Sequence, residues 1–317
     1  MNEGSEDFAN LGGGKVLMTS GLKFPPHVYP DRKGRVFLFD FAKPTTAREV
    51  NIDWRGQKDK FEKWNPHGMD AIKTGSSEYI VFVVNHAPHE AVERFHFDVT
   101  SLTLTHLESV TSNAMHLMNS VVAVNERSFF FSNSNYFRSW NFLLNLENFI
   151  DVGSGSIGSY NGSSRVATIV HRGLSLVNGL ALSPNKNKLY VMAIARKTVL
   201  TFAVHSMTNI TIENKFFLET IGDNIQVDAD DNSLWIGAHP VPIKMLSHLK
   251  DPTRVSPSQV LNVKVDGKGH PRSNAITEVF MDDGELISAS AVALRHKKGL
   301  LIGSVAHKLV FCQLECF

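Results

Sequence analysis

Cysteine is almost missing from this chain. Cys312 and Cys316 are the two present in 317 residues, which excludes a disulfide-rich scaffold and a thiolate metal centre. On an apparent terminal strand rising about 3.3 Å per residue, their Cα atoms would stand about 13 Å apart, beyond disulfide reach. They are free, or one lacks a partner that the sequence does not contain. An excess of either charge is missing too: 32 Lys and Arg face 31 Asp and Glu, a formal charge of +1. That balance argues against a phosphate-binding surface and so against a nucleic-acid partner. No run approaches the roughly 20 apolar residues of a membrane-spanning helix. G-x-S-x-G, P-loop and H-E-x-x-H motifs are absent, which turns the reading away from a serine hydrolase. Gly153-Ser-Gly-Ser-Ile-Gly158 has dinucleotide-fingerprint spacing but no strand–turn–helix around it, so it reads as a flexible loop. Nor does an apolar leader precede the first strand-like segment. Asn161-Gly-Ser and Asn209-Ile-Thr are nevertheless glycosylation sequons. The expectation is a truncated or alternative form of a secretory-pathway protein, extracellular or membrane-associated in its full-length form.

What is abundant is short apolar runs, within a hydrophobic content of 43% that suffices for a large core. Val, Ile, Leu, Phe and Tyr cluster between Gly, Asn, Asp and Pro, the pattern of an all-β chain. One unit recurs: an apolar segment, a polar turn, a second apolar segment. Aligning its copies on Leu17, Phe82, Phe130, Tyr190, Trp235 and Leu301 gives spacings of 65, 48, 60, 45 and 66 residues. Each copy resembles the two inner strands of a four-stranded blade, with outer strands such as Val199–Val204 and Ile210–Leu218 between copies. Six copies in one phase predict a single six-bladed β-propeller over residues 1–317 rather than a generic sandwich. One segment departs from the pattern. In 136–150, Phe137, Trp140, Leu144 and Phe149 form a stripe at helical spacing, expected as an amphipathic interblade helix or a membrane-contacting surface.

Polar residues share the same phase. Just ahead of the repeats stand Glu6-Asp7, Asn65-Pro-His67-Gly-Met69, Asn119-Ser120, Asn178-Gly179, Asp223-Asn224 and Ser288-Ala-Ser290. Equivalent positions of a propeller converge on its axis, so the fold would gather Glu6, Asn119, Asn178, Asp223 and Asn224 around one point. Carboxylate and amide oxygens in that number suit Ca²⁺, whereas softer metals would want Cys or His. A single Asn or Asp is more often a turn residue, and it is the common phase that favours a metal site. His67 and His86 fall near the same axis and are the candidates for a general base. His239 and His307, at similar strand ends, are candidate pocket-lining residues.

Several strings carry a resemblance: Gly4-Ser-Glu-Asp-Phe8, Ser20-Gly-Leu-Lys-Phe-Pro25, Asn65-Pro-His-Gly68, Val83-Val-Asn-His86, Asn178-Gly-Leu-Ala-Leu-Ser-Pro184, Gly222-Asp-Asn-Ile-Gln-Val-Asp228, Leu234-Trp-Ile-Gly-Ala-His-Pro240 and Ile302-Gly-Ser-Val-Ala-His-Lys308. From about Gly4 to Cys312 the chain is similar to the serum paraoxonase/arylesterase family. The resemblance implies a six-bladed propeller with two calcium ions in a central tunnel, and hydrolysis of lactones, aryl esters and some organophosphates. It implies a catalytic calcium on Glu6, Asn119, Asn178, Asp223 and Asn224, and a histidine pair at His67 and His86. A structural calcium would use Asp7 and the backbone carbonyl of Met69, but its third ligand, an aspartate in the family, is here Ser120. The second site is therefore expected to bind calcium weakly or not at all. Ser134-Asn135 likewise stands where the family has Asp-His. The family also has an apolar N-terminal segment and a cysteine that bridges to the position of Cys312; without that disulfide, closure between the first and last blades is expected to lose roughly 2–5 kcal/mol. Asn209 matches a glycosylated position of the family.

The function expected is calcium-dependent hydrolysis of a small lactone or ester by metal-assisted attack of water, with a possible membrane or lipoprotein contact through 136–150. The rival is a non-catalytic propeller that assists assembly of membrane proteins. A carbohydrate-binding or receptor-type propeller would not need Asn and Asp at one phase in four blades.

Overall fold

Stiff β-branched and aromatic side chains favour extended backbone, and the short apolar runs each become a strand. The structure, a computed structural model, describes residues 4–23, 31–135 and 153–314. Its strands form six sheets, antiparallel but for one edge strand, the blades of a propeller. Their innermost strands are Phe8–Gly12, Pro66–Lys73, Met118–Ala123, Val177–Leu182, Ile221–Val227 and Ser290–His296. Each packs on the next around the ring, and the first also meets the last.

The repeat has the phase expected of it. Leu17, Phe82, Phe130, Tyr190, Trp235 and Leu301 all lie in the second strand of a blade, opposite Ala9, Asp70, Val122, Ala181, Gln226 and Leu294. All six are at most 2% exposed. The core therefore lies between the blades rather than at their centre. Leu17 and Leu38 of blade 1 meet Val81 and Phe95 of blade 2. Phe82 and Val92 of blade 2 meet Phe129 and Phe131 of blade 3, and the pattern continues round the ring. Each such side chain contributes roughly 1.5–3 kcal/mol on burial. Polar links join blades as well: Arg295 of blade 6 grips Asp228 of blade 5 through two bonds of 2.7 and 2.8 Å.

Four blades have four strands. Blade 2 gains a fifth, Asn51–Asp53, which leaves blade 1 and pairs in parallel with Thr103–Val110. Among the described residues blade 6 has three, Ser290–His296, Gly299–Ser304 and Val310–Gln313. Among the described residues no disulfide closes the seam between blades 6 and 1; Cys312 is free and half-buried. Ser5 N–H donates to Ser304 O and Gly4 N–H to His307 O, both at 2.7 Å. Rings cover the outer part: Phe311 lies 6.0 Å from Phe39 and 5.9 Å from Phe41, which also meets His296.

Two local expectations need correction or restriction. The glycine-rich Gly153–Gly158 stretch is not a loop: Gly155–Asn161 is the third strand of blade 3. Its glycines make room for neighbours, since a Cβ on Gly158 would stand 2.1 Å from the Phe131 ring. The amphipathic segment 136–150 lies outside the described residues. A helix that the apolar pattern did not announce spans Pro242–Lys250, directly after blade 5's second strand. It starts with Pro at its first position, where no N–H is needed, and buries His248 while Ile243 stays 74% exposed.

Candidate functional site

Five of the six inner strands carry one irregularity at the same place. The register slips between Pro66 and Met69, Met118 and Val121, Val177 and Leu180, Gly222 and Ile225, and Ser290 and Val292. These are β-bulges, which add a residue and re-aim its side chain. In the bulges sit His67, Asn119 with Ser120, Asn178, and Asp223 with Asn224. The sequence pattern placed this polar phase ahead of the strands; the structure puts most of it inside them, in the bulge. Glycine partners let the bulges stack closely: a Cβ on Gly68 would lie 2.4 Å from Asn119 O, and one on Gly179 2.6 Å from Asn224 Cα.

Glu6 enters from the segment before the first inner strand and is 2% exposed. Asn224 Nδ2 donates to Glu6 Oε1 at 2.7 Å and to Glu6 O at 3.0 Å. Glu6 Oε1 lies 3.4 Å from His67 Nε2, which in turn lies 3.3 Å from Asn119 Nδ2. Asp223 Oδ2 bonds His239 Nε2 at 2.9 Å, so His239 joins this set. Asn178 holds the equivalent bulge position between the strands of Asn119 and Asp223, and its backbone carbonyl accepts Ser132 Oγ at 2.8 Å. His307 plays a different part, its Nδ1 accepting Ser288 N–H at 2.9 Å.

A buried polar atom without a partner is costly and asks for an explanation. Glu6 Oε2, Asn119 Oδ1, Asn178 Oδ1, Asp223 Oδ1 and Asn224 Oδ1 are all buried oxygens with no hydrogen-bond partner. One oxygen on each of the five expected ligands is thus unspent. Among the described residues no three His, Cys, Asp or Glu side chains form a cluster suited to a metal. Here Glu6 and Asp223 supply carboxylate and the three asparagines supply amide oxygen, a hard donor set of the kind Ca²⁺ takes. Burial, and then repulsion by Asp223, push the Glu6 carboxyl well above the usual range against the bond from Asn224. A cation beside it would reverse that shift.

The histidines form a hydrogen-bonded chain. His67 Nδ1 and His86 Nε2 are 2.8 Å apart, and His86 Nδ1 is 2.5 Å from Glu90 Oε1. Burial, reinforced by the neighbouring His86, lowers His67 to about 3. Burial would also lower His86, but the Glu90 carboxylate outweighs it and raises His86 above its usual value. Burial would raise Glu90, and His86 reverses this to a net lowering. Glu90 was not singled out from the sequence. A carboxylate four residues beyond a candidate base, across the turn at Pro88, was the available signal. Asp7, buried, spends both oxygens on the protein, taking Phe8 N–H at 2.8 Å and Met69 N–H at 3.0 Å.

The family model described as Arylesterase matches residues 1–314. Over an alignment of 319 positions the chain is 30% identical to "Serum paraoxonase/lactonase 3" of Oryctolagus cuniculus, spanning 99% of this chain and 87% of that protein. It is 31% identical to "Serum paraoxonase/arylesterase 2" of Gallus gallus, across 98% of this chain and 86% of that one. Among solved structures, a gluconolactonase from Xanthomonas campestris superposes with a TM-score of 0.59 at 12% identity, covering 99% of this chain and 87% of its own, a likeness of fold.

Proposed function

The chain belongs to the arylesterase family, and we propose that it is a calcium-dependent hydrolase of lactones and carboxylic esters, aryl esters included. The observation that carries this reading is the set of five buried, unpartnered oxygens beside a Glu90–His86–His67 relay. Glu6, Asn119, Asn178, Asp223 and Asn224 would hold the ion. When bound, calcium supplies the positive charge that polarises an ester carbonyl and stabilises the negative charge developing on its oxygen.

Proton transfer falls to the chain's own side chains. With Glu90 accepting His86 Nδ1–H, the neutral His86 keeps a lone pair on Nε2 and accepts Nδ1–H of His67. His67 then presents the lone pair of Nε2 toward Glu6 and Asn119, whose Nδ2 can donate to it. His67 Nε2 takes a proton from water, its Nδ1 proton passes to His86 Nε2, and the imidazolium charge rests against Glu90. The hydroxide adds to the carbonyl carbon, the acyl C–O bond breaks, and the relay returns the proton to the departing alkoxide. A lactone opens in this way to a single hydroxy acid.

The curated relatives named above are serum proteins by name, and Asn209 stands exposed at the start of a hairpin strand, open to glycosylation. Both support a secretory route. The test of the proton relay is His67→Gln. Loss of about 10²–10⁴-fold in kcat for lactone hydrolysis is expected, and full retained activity would remove His67 as the base.

A further inference from the structure

The five expected axial ligands each have an oxygen with no donor, whereas both Asp7 oxygens and the Ser120 hydroxyl each have one. Asp7 Oδ1 accepts Phe8 N–H at 2.8 Å and faces Gln226 Nε2 at 3.4 Å; Oδ2 accepts Met69 N–H at 3.0 Å. Gln226 Nε2 also donates to Phe8 O at 2.8 Å. Both neighbours of that nitrogen are acceptors, which fixes the amide with its NH₂ toward the carboxylate. Ser120 is spent as well. Its Oγ accepts Leu180 N–H at 3.2 Å, and its N–H donates to Ser132 Oγ at 3.0 Å.

A hard cation needs six to eight oxygen ligands. Here the carboxylate meets a donor NH₂, and the hydroxyl of Ser120 brings no charge. Gln226 turns N–H rather than its carbonyl oxygen toward Asp7, and an amide nitrogen bearing its hydrogens has no lone pair to give a cation. We infer that the Gln226 amide closes the position beside Asp7 and that Ser120, already bonded to Leu180, offers it no carboxylate, so that this chain takes one calcium ion rather than two. The count of one rests on the axial reading above; the closure beside Asp7 does not.

Calorimetric titration of calcium into the chelator-treated full chain tests both. One equivalent is expected, and two tight equivalents would overturn the closure. No binding would overturn the axial reading while agreeing with the closure. The double variant Ser120→Asp with Gln226→Ala restores a carboxylate and removes the opposing amide, and should gain one further equivalent over the wild type. A variant with wild-type circular dichroism and no gain would overturn the roles given to Gln226 and Ser120. The wild-type count decides by itself if the variant does not fold.

Discussion

Glu90 joins two blades at the site: its Oε1 lies 2.5 Å from His86 Nδ1, and its Oε2 accepts the Met118 backbone N–H at 3.2 Å. Met118 directly precedes Asn119, so one carboxylate orients the distal imidazole and braces the strand that carries an expected metal ligand. Glu90→Gln keeps the shape and removes the charge. It should lower kcat for lactone hydrolysis by about 10–100-fold with little change in KM, because the imidazolium formed during turnover loses its partner. Steady-state kinetics check this; an unchanged kcat would leave Glu90 a structural brace.

The same pair sets a pH window for stability. His86 is raised above its usual 6.5, so its contribution is present below 6.5 and is lost as pH rises through the raised value. Glu90 is lowered below its usual 4.5, so its contribution is present above 4.5 and is lost as pH falls through the lowered value. The melting-temperature difference between wild type and Glu90→Gln should therefore be largest between these two values and shrink on both sides. A difference independent of pH would show that the pair does not titrate as described.

Much of this was legible in the chain, and what was missed has physical causes. The blade repeat could be read because a propeller buries the same strand position in every copy, so Leu17, Phe82 and Trp235 share one phase. The convergence of Glu6, Asn119, Asn178, Asp223 and Asn224 toward the axis could be expected for the same reason, and calcium binding there is the proposal. The β-bulges could not, since a bulge is a property of pairing between strands and leaves no composition signal. Gly155–Asn161 misled because glycine there serves the Phe131 ring in a neighbouring strand rather than a turn. Gln226 was not singled out because alternation along a strand gives its side no chemical mark; only the meeting of blades 5 and 1 brings its amide to Asp7.

The seam between blades 6 and 1 is the place to test closure. Phe39 is 2% exposed and packs between Phe41 and Phe311. Phe39→Ala should cost about 3–5 kcal/mol, measured as a lower urea midpoint. A loss below 1 kcal/mol would mean that the backbone bonds of Gly4 and Ser5 suffice to close the ring.

The measurement to make is lactone hydrolysis by the purified chain, first with calcium, then after chelation, then with calcium restored. The geometry at Glu6, Asn119, Asn178, Asp223 and Asn224 predicts activity that disappears with chelation and returns with calcium. Turnover undiminished by chelation would contradict the role given to these oxygens. Calcium binding with no turnover of any lactone or aryl ester would point instead to a propeller that binds or assembles other proteins.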